Sequence, residues 1–285
     1  VVMAEAMASN LMGDFSVLMT SAYEMSEEIT YGKLIVQNSQ LWPALDIALL
    51  ASNEEQGEGE IKVNDDELEF GVSLPLNLSG GRNAAQIRPR IAWFESHLDD
   101  PIQSYSIGLT FTRYGRAAQR DFRYRYAQYL SAWTRREYDG ESGCIMASMK
   151  LYFPGISRQH YFYMTADYSE HLDGPYRFGI LMPLARGLIL YDPEEVMYLS
   201  ANYEFPISYP DMTVGNFWYL KRLRAGLFLD HSIYTLDDDE DDFSSAGFSV
   251  SFDGVFFRLL PINLGGYLAF PLDGGDPGFG LLLEI

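Results

Sequence analysis

Leu68, Phe70, Val72, Leu74, Leu76 and Leu78 form an unbroken row of apolar side chains at every second position, with Glu67, Glu69, Gly71, Ser73 and Asn77 between them. Side chains alternate across a strand, so this stretch has one wholly apolar face and one polar face. A half-buried strand of a soluble sheet follows the same rule, so one row decides little. The row constrains the fold because the pattern recurs almost to the last residue. The polar faces also keep carrying ionisable groups. A wall with lipid on one side and water on the other needs that combination, which predicts an all-β fold, a transmembrane antiparallel β-barrel.

Turn signals divide the 285 residues into segments near the roughly 9–11 residues that a tilted membrane strand requires. Strands are expected at 2–9, 14–23, 30–36, 41–51, 68–78, 86–95, 103–113, 122–135, 144–153, 159–168, 176–182, 196–205, 218–230, 243–252, 256–270 and 278–285. The count is about sixteen, even as expected when both termini lie on one side. Parity assigns the faces. Over 144–153, Ile145, Ala147, Met149, Leu151 and Phe153 face lipid, and Ser148 and Lys150 face the lumen. Over 218–230, Leu223, Ala225, Leu227 and Leu229 face out, and Arg222, Arg224, Gly226, Phe228 and Asp230 face in. A mid-strand charge on lipid would cost about 2–4 kcal/mol, so the shared parity of Arg222, Arg224 and Asp230 is a constraint. Lys221 and Trp218 are expected at the membrane interface, as a snorkelling cation and a belt aromatic.

Composition narrows the alternatives. No run of about eighteen apolar residues occurs, which excludes helical spans. The mean hydropathy of -0.10 suits alternating faces, and 20 Tyr with 18 Phe suit interfacial girdles. Forty acids against 20 bases give a net charge of -20, and without a basic patch no nucleic-acid partner is expected. Much of the acid lies in the turn-like stretches 54–60 and 237–242. The second is expected to be a solvated loop tip, because it lacks the spacing, central Gly and closing Glu of a calcium loop. Four scattered His and a lone Cys144 offer neither metal-ligand spacing nor a disulfide, so no metal or cofactor is expected. No nucleophile elbow, phosphate loop or Ser–His pair on one lipid-facing row is present, and no catalytic residue is nominated. Residues 1–10 carry no basic stretch followed by an apolar core, so no signal peptide is expected. The whole chain, 1–285, is expected to be one barrel domain that has lost an upstream periplasmic domain.

From Phe178 onward the residues become distinctive. Pro183-Leu184-Ala185-Arg186-Gly187 interrupts the strand pattern, Tyr203-Glu204-Phe205-Pro206 follows on the next strand, and Phe228-Leu229-Asp230 on the one after. This order resembles the C-terminal barrel of the Omp85 superfamily, whose members carry an Arg-Gly loop after the eleventh strand, then Tyr-x-Phe-Pro, then Phe-x-Asp. The tracts 71–78, 151–158 and 203–211 look like Bacteroidota outer-membrane proteins with such a barrel behind a TolB-like propeller. Two positions depart from the pattern: Leu188 stands where an aromatic usually follows Arg-Gly, and Asn202 where an acid usually precedes the Tyr.

The resemblance implies that the Arg-Gly loop folds into the lumen and that Arg186, Gly187, Phe228 and Asp230 form a lock. A guanidinium suits that role because its planar fork stays charged and can bond a carboxylate at two points. Glu204, Arg222 and Arg224 have lumen parity and are candidates for an adjoining charge network; Tyr203, Phe205 and Pro206 are the strand motif. The implied location is integral to the outer membrane, among lipid and lipopolysaccharide, with periplasmic or lipoprotein subunits as candidate partners. The implied work is insertion or translocation of proteins through a weak seam between 2–9 and 278–285, with Gly278 and Gly280 weakening the last strand. The alternative is a non-transporting barrel that anchors a periplasmic propeller or complex.

Overall fold

Inside a bilayer every backbone N–H and C=O must find a partner within the protein, and strands meet that demand only by pairing side by side. This chain pairs its strands in sequence order. The computed structural model describes residues 2–9, 15–24, 29–38, 44–53, 66–81, 83–96, 102–115, 123–172, 174, 176–178, 183–188, 190, 193–215, 218–236, 239–256 and 260–284. The strands are β1 (Val2–Ser9), β2 (Phe15–Glu24), β3 (Ile29–Asn38), β4 (Ala44–Asn53), β5 (Asp66–Ser73), β6 (Leu76–Asn77), β7 (Asn83–Ser96), β8 (Gln103–Gly115) and β9 (Ala127–Glu137). They continue as β10 (Gly143–Pro154), β11 (Tyr161–Leu172), β12 (Glu195–Ser208), β13 (Met212–Val214), β14 (Trp218–Leu236), β15 (Asp239–Phe256), β16 (Leu260–Pro271) and β17 (Gly278–Glu284). All ladders are antiparallel meander pairs, and β6 and β13 extend β5 and β12 along the same neighbours. Counted so, fifteen strands form one continuous wall among the described residues. No ladder among those residues joins β1 to β17.

The opening row lies on β5 and β6 and points outward: Phe70, Leu76 and Leu78 are exposed, whereas Gly71 and Ser73 are buried. The ladder to β7 breaks at Leu74–Pro75 because Pro89 stands opposite: Leu74 N–H reaches the Pro89 carbonyl at 3.0 Å, but Pro89 has no N–H to return the bond. The same parity holds around the wall. Ile91, Ile107, Leu109, Leu227 and Leu229 are more than half exposed on the outer face. Ser104, Arg135, Ser200, Arg222, Arg224 and Asp230 are buried on the inner one. A water-soluble sheet would bury the first group and expose the second. The inversion is what a lipid-facing barrel requires.

The strand boundaries depart from expectation where side chains have other work. Segment 176–182 is not a strand where it is described: Tyr176, Arg177 and Phe178 make no ladder, and the two aromatics are buried against the inner wall. The Arg-Gly loop therefore follows the tenth full strand, β11, rather than an eleventh. Residues 123–126 precede β9 instead of belonging to it, because Arg123 turns into the lumen to meet Glu204. Phe256 ends β15 rather than opening β16. β14 and β15 run for 19 and 18 residues, well beyond the roughly 9–11 needed to cross a bilayer. Their hairpin carries Asp239, Glu240, Asp241 and Asp242, all exposed, so these acids belong to a paired strand and not to a loop. The turn 10–13, the acidic stretch 54–60, residues 99–101, Phe122, Asp237 and Ile285 lie outside the described residues.

Exchanging Ile107 for Arg on the outer face of β8 should cost about 2–4 kcal/mol, whereas Thr110→Arg on the inner face should cost about 1 kcal/mol or less. Urea unfolding in lipid vesicles checks this, and equal costs would refute the assignment of faces.

Candidate functional site

The loop that leaves β11 returns to β12 through the lumen, and its Arg-Gly pair is held there by the inner faces of five strands. Arg186 reaches Asp230 on β14 through both ends of its fork. Nε donates to Oδ2 at 2.6 Å and Nη2 to Oδ1 at 2.9 Å, while the Arg186 backbone N–H adds a third bond to Oδ2 at 3.1 Å. Asp230 is fully buried, and a carboxylate is tolerated there because each oxygen accepts charge-assisted bonds. Ser200 on β12 donates to Asp230 Oδ1 at 2.6 Å. The guanidinium also donates to Asn202 Oδ1 at 2.7 Å and lies over the Phe228 ring at 3.5 Å from its centroid. Phe228 thus supplies the apolar side of a site whose other sides are polar. A cation over an aromatic face gains most where water is excluded.

Backbone contacts complete the seat. Ala185 N–H donates to Ser232 Oγ at 2.9 Å, Ser245 Oγ donates to the Arg186 carbonyl at 2.8 Å, and Leu188 N–H closes the turn onto the Ala185 carbonyl at 3.0 Å. Gly187 has φ +97°, a backbone conformation that other residues avoid. A Cβ on it would lie 3.4 Å from Ala269 on β16. A Cβ on Gly278, the first residue of β17, would come within 2.9 Å of the Gly187 Cα. So Gly278 is small because the loop tip occupies its space, and Gly280 because the Tyr267 ring does. Both glycines, expected from the sequence to weaken the closing strand, thus also have a packing role.

A second ionic group lies along the inner face of β12, β14 and β15. Arg123 binds both oxygens of Glu204, at 2.7 and 2.9 Å, and Arg224 approaches Glu204 Oε2 at 3.2 Å. Arg224 also reaches Asp253 Oδ1 at 2.8 Å, and Arg222 holds Asp253 Oδ2 at 2.7 Å through Nε. Glu204, Arg222 and Arg224 therefore form one network, completed by Arg123 and Asp253. A third group sits apart, where Arg90 of β7 bonds Asp46 and Glu69 of β4 and β5. Gly71 leaves room for that guanidinium, since a Cβ there would strike Arg90 and Asp46.

The strand motif divides by parity. Tyr203 and Phe205 share the face opposite Glu204, and Tyr203 works on the neighbouring β10–β11 turn. Its hydroxyl accepts the Ile156 N–H at 3.2 Å and bonds His160 Nδ1 at 2.7 Å, while Phe205 stacks on His160 at 5.5 Å. Pro206 lies where the register between β12 and β14 shifts, a place where a missing N–H costs no ladder bond. Lys221 is the extra residue at the β14 shift and is exposed; Trp218, on the same strand, is half-buried.

Sequence reasoning had not nominated Ser200, Ser232, Ser245, Arg123 or Asp253, and it noted Asn202 only as a departure. Ser200 and Asn202 share lumen parity with Glu204, a signal that was available. Nothing local marks Arg123. Among the described residues no group of three or more His, Cys, Asp or Glu could hold a metal.

The class defined by this wall and its inserted loop is a β-barrel with an Arg–Asp pair closing the loop inside the lumen. The chain matches the crystal structure of BamA from Haemophilus ducreyi lacking POTRA domains 1-3, with a TM-score of 0.55 at 12% identity over 99% of this chain. It spans 66% of that structure's length. The likeness is one of fold, an antiparallel β-barrel. No protein-family model matches the sequence, and a search of curated proteins finds no match.

Replacing Asp230 by Ala strands the Arg186 charge in the lumen and should destabilise the barrel by about 3–5 kcal/mol. Arg186→Lys should cost less but lose the two-point grip. Urea unfolding followed by the gel shift between folded and unfolded barrel reads both. An Asp230→Ala variant as stable as the parent would show that the pair carries no weight.

Proposed function

We propose that the chain is the membrane barrel of an Omp85-type outer-membrane protein that inserts or translocates other proteins. The observation that carries this reading is the inserted loop: Arg186 is anchored on Asp230 while Gly187 touches Gly278, so one loop organises the interior and reaches the last strand. The outer side of that strand supports the same reading. Phe279 and Leu281 are 80% and 84% exposed, far more than the outward residues of inner strands, because no described neighbour flanks them. An unpaired edge offers its free N–H and C=O groups as a template for an incoming strand.

In this reading the protein sits in the outer membrane among lipid and lipopolysaccharide, works with periplasmic or lipoprotein subunits, and is not an enzyme. Strand exchange makes and breaks no covalent bond. The competing reading, a barrel that only anchors a periplasmic propeller, draws on the likeness of 71–78 to Bacteroidota barrels of that arrangement.

The test is a folding assay in vesicles of defined phospholipid. An unfolded barrel client is added with and without the reconstituted protein, and its folding is followed by gel shift. The protein should accelerate client folding, and Asp230→Ala should lose most of that acceleration. Client folding at the same rate with and without the protein would sink the assembly reading in favour of the anchor.

A further inference from the structure

We propose that Arg135 is a second latch for the loop after β11, holding its entering limb independently of Arg186. The entering limb lies on strands other than those that seat the Arg-Gly turn. Gly174, at φ +141°, passes so close to Ser142 that a Cβ would overlap it. Tyr176 N–H then donates to Ser142 Oγ at 3.1 Å. Tyr176 and Phe178 meet edge to face at 5.0 Å and, with Cys144 of β10, form a buried apolar cluster.

Arg135 of β9 closes this cluster. Its guanidinium lies between two rings, 4.0 Å from the centroid of Phe94 on β7 and 4.5 Å from that of Phe178 on the loop. Its Nε donates to Ser104 Oγ of β8 at 2.8 Å, and the whole residue is 8% exposed. A flat, weakly hydrated cation can stack on two aromatic faces at once while its edge makes hydrogen bonds, which an ammonium cannot do. The clamp therefore joins β7, β8 and β9 to the loop through one side chain.

Among the described residues, the contacts named for the two seats have no residue in common. The entering limb rests on β7–β10, on one side of β11, and the Arg-Gly turn rests on β12–β17, on the other. The loop is thus fixed to two arcs of the wall. Releasing Arg186 leaves the entering limb in place. This holds whatever work the barrel performs.

Cys144 is the only cysteine of the chain and is fully buried in this cluster, so its thiol reports on the limb directly. The experiment follows labelling of the full chain by a water-soluble maleimide in detergent micelles, with the gel shift of the same samples showing that the barrel stays folded. Phe178→Ala and Arg135→Ala should each speed labelling by about tenfold, as loss of a buried cation–ring contact allows local opening. The double variant should react no faster than either single one, because both changes break the same clamp. Arg186→Ala should label like the parent. If it exposes Cys144 as much as Arg135→Ala does, the loop has one latch and the proposal fails. Should an alanine variant not fold, Phe178→Leu removes the ring face and keeps the bulk; labelling at the parental rate in that variant overturns the proposal equally.

Discussion

A carboxylate with no exposed surface, Asp230, is the point on which the interior depends. Leaving it unpaired would be costly, and the chain meets the demand with a residue 44 positions away in sequence. Because Arg186 brings its own backbone N–H as well as its side chain, the loop cannot satisfy Asp230 without entering the lumen. The seat for Phe228, the room left by Gly278 and the serines on β12, β14 and β15 follow from that entry. Each either accepts a group the loop would otherwise bury unpaired or leaves space for its backbone.

The lumen holds its charges in groups that span several strands. Glu204 and Asp253 are shared among Arg123, Arg222 and Arg224; Arg90 is shared between Asp46 and Glu69. Shared partners matter in a wall whose outer face contributes little to holding neighbouring strands together, since lipid is as apolar as the side chains that meet it. Ladders and inner polar contacts then carry the cohesion. The loop adds ties between strands that are not ladder neighbours, such as β14 with β16 through Arg186 and Gly187.

Much of the wall was legible from the residues. The period of two depends only on local geometry, so the inner and outer faces of β10 and β14 could be assigned residue by residue, and the charges of β14 fell on the lumen side. The pairing of Arg186 with Asp230 was legible only through a resemblance, since the two lie on separate elements. Tyr176 and Phe178 misled the strand count for a physical reason: a segment rich in aromatics looks like a strand, and whether it joins a ladder depends on what else can bury it. Cys144 and Arg135 offered a better site than any neighbouring edge.

By itself the sequence determined that the chain makes two-faced strands, which side of each meets lipid, and that a Pro- and Gly-bearing segment interrupts them at Pro183–Gly187. These follow from side-chain period, from the cost of charge in lipid and from turn chemistry, all of which act within a few residues. Tertiary structure alone decided where the interrupting segment goes, which serines and which arginine complete its two seats, and why Gly278 and Gly280 must be small. Those outcomes depend on distances between strands far apart in the chain, which no local pattern encodes.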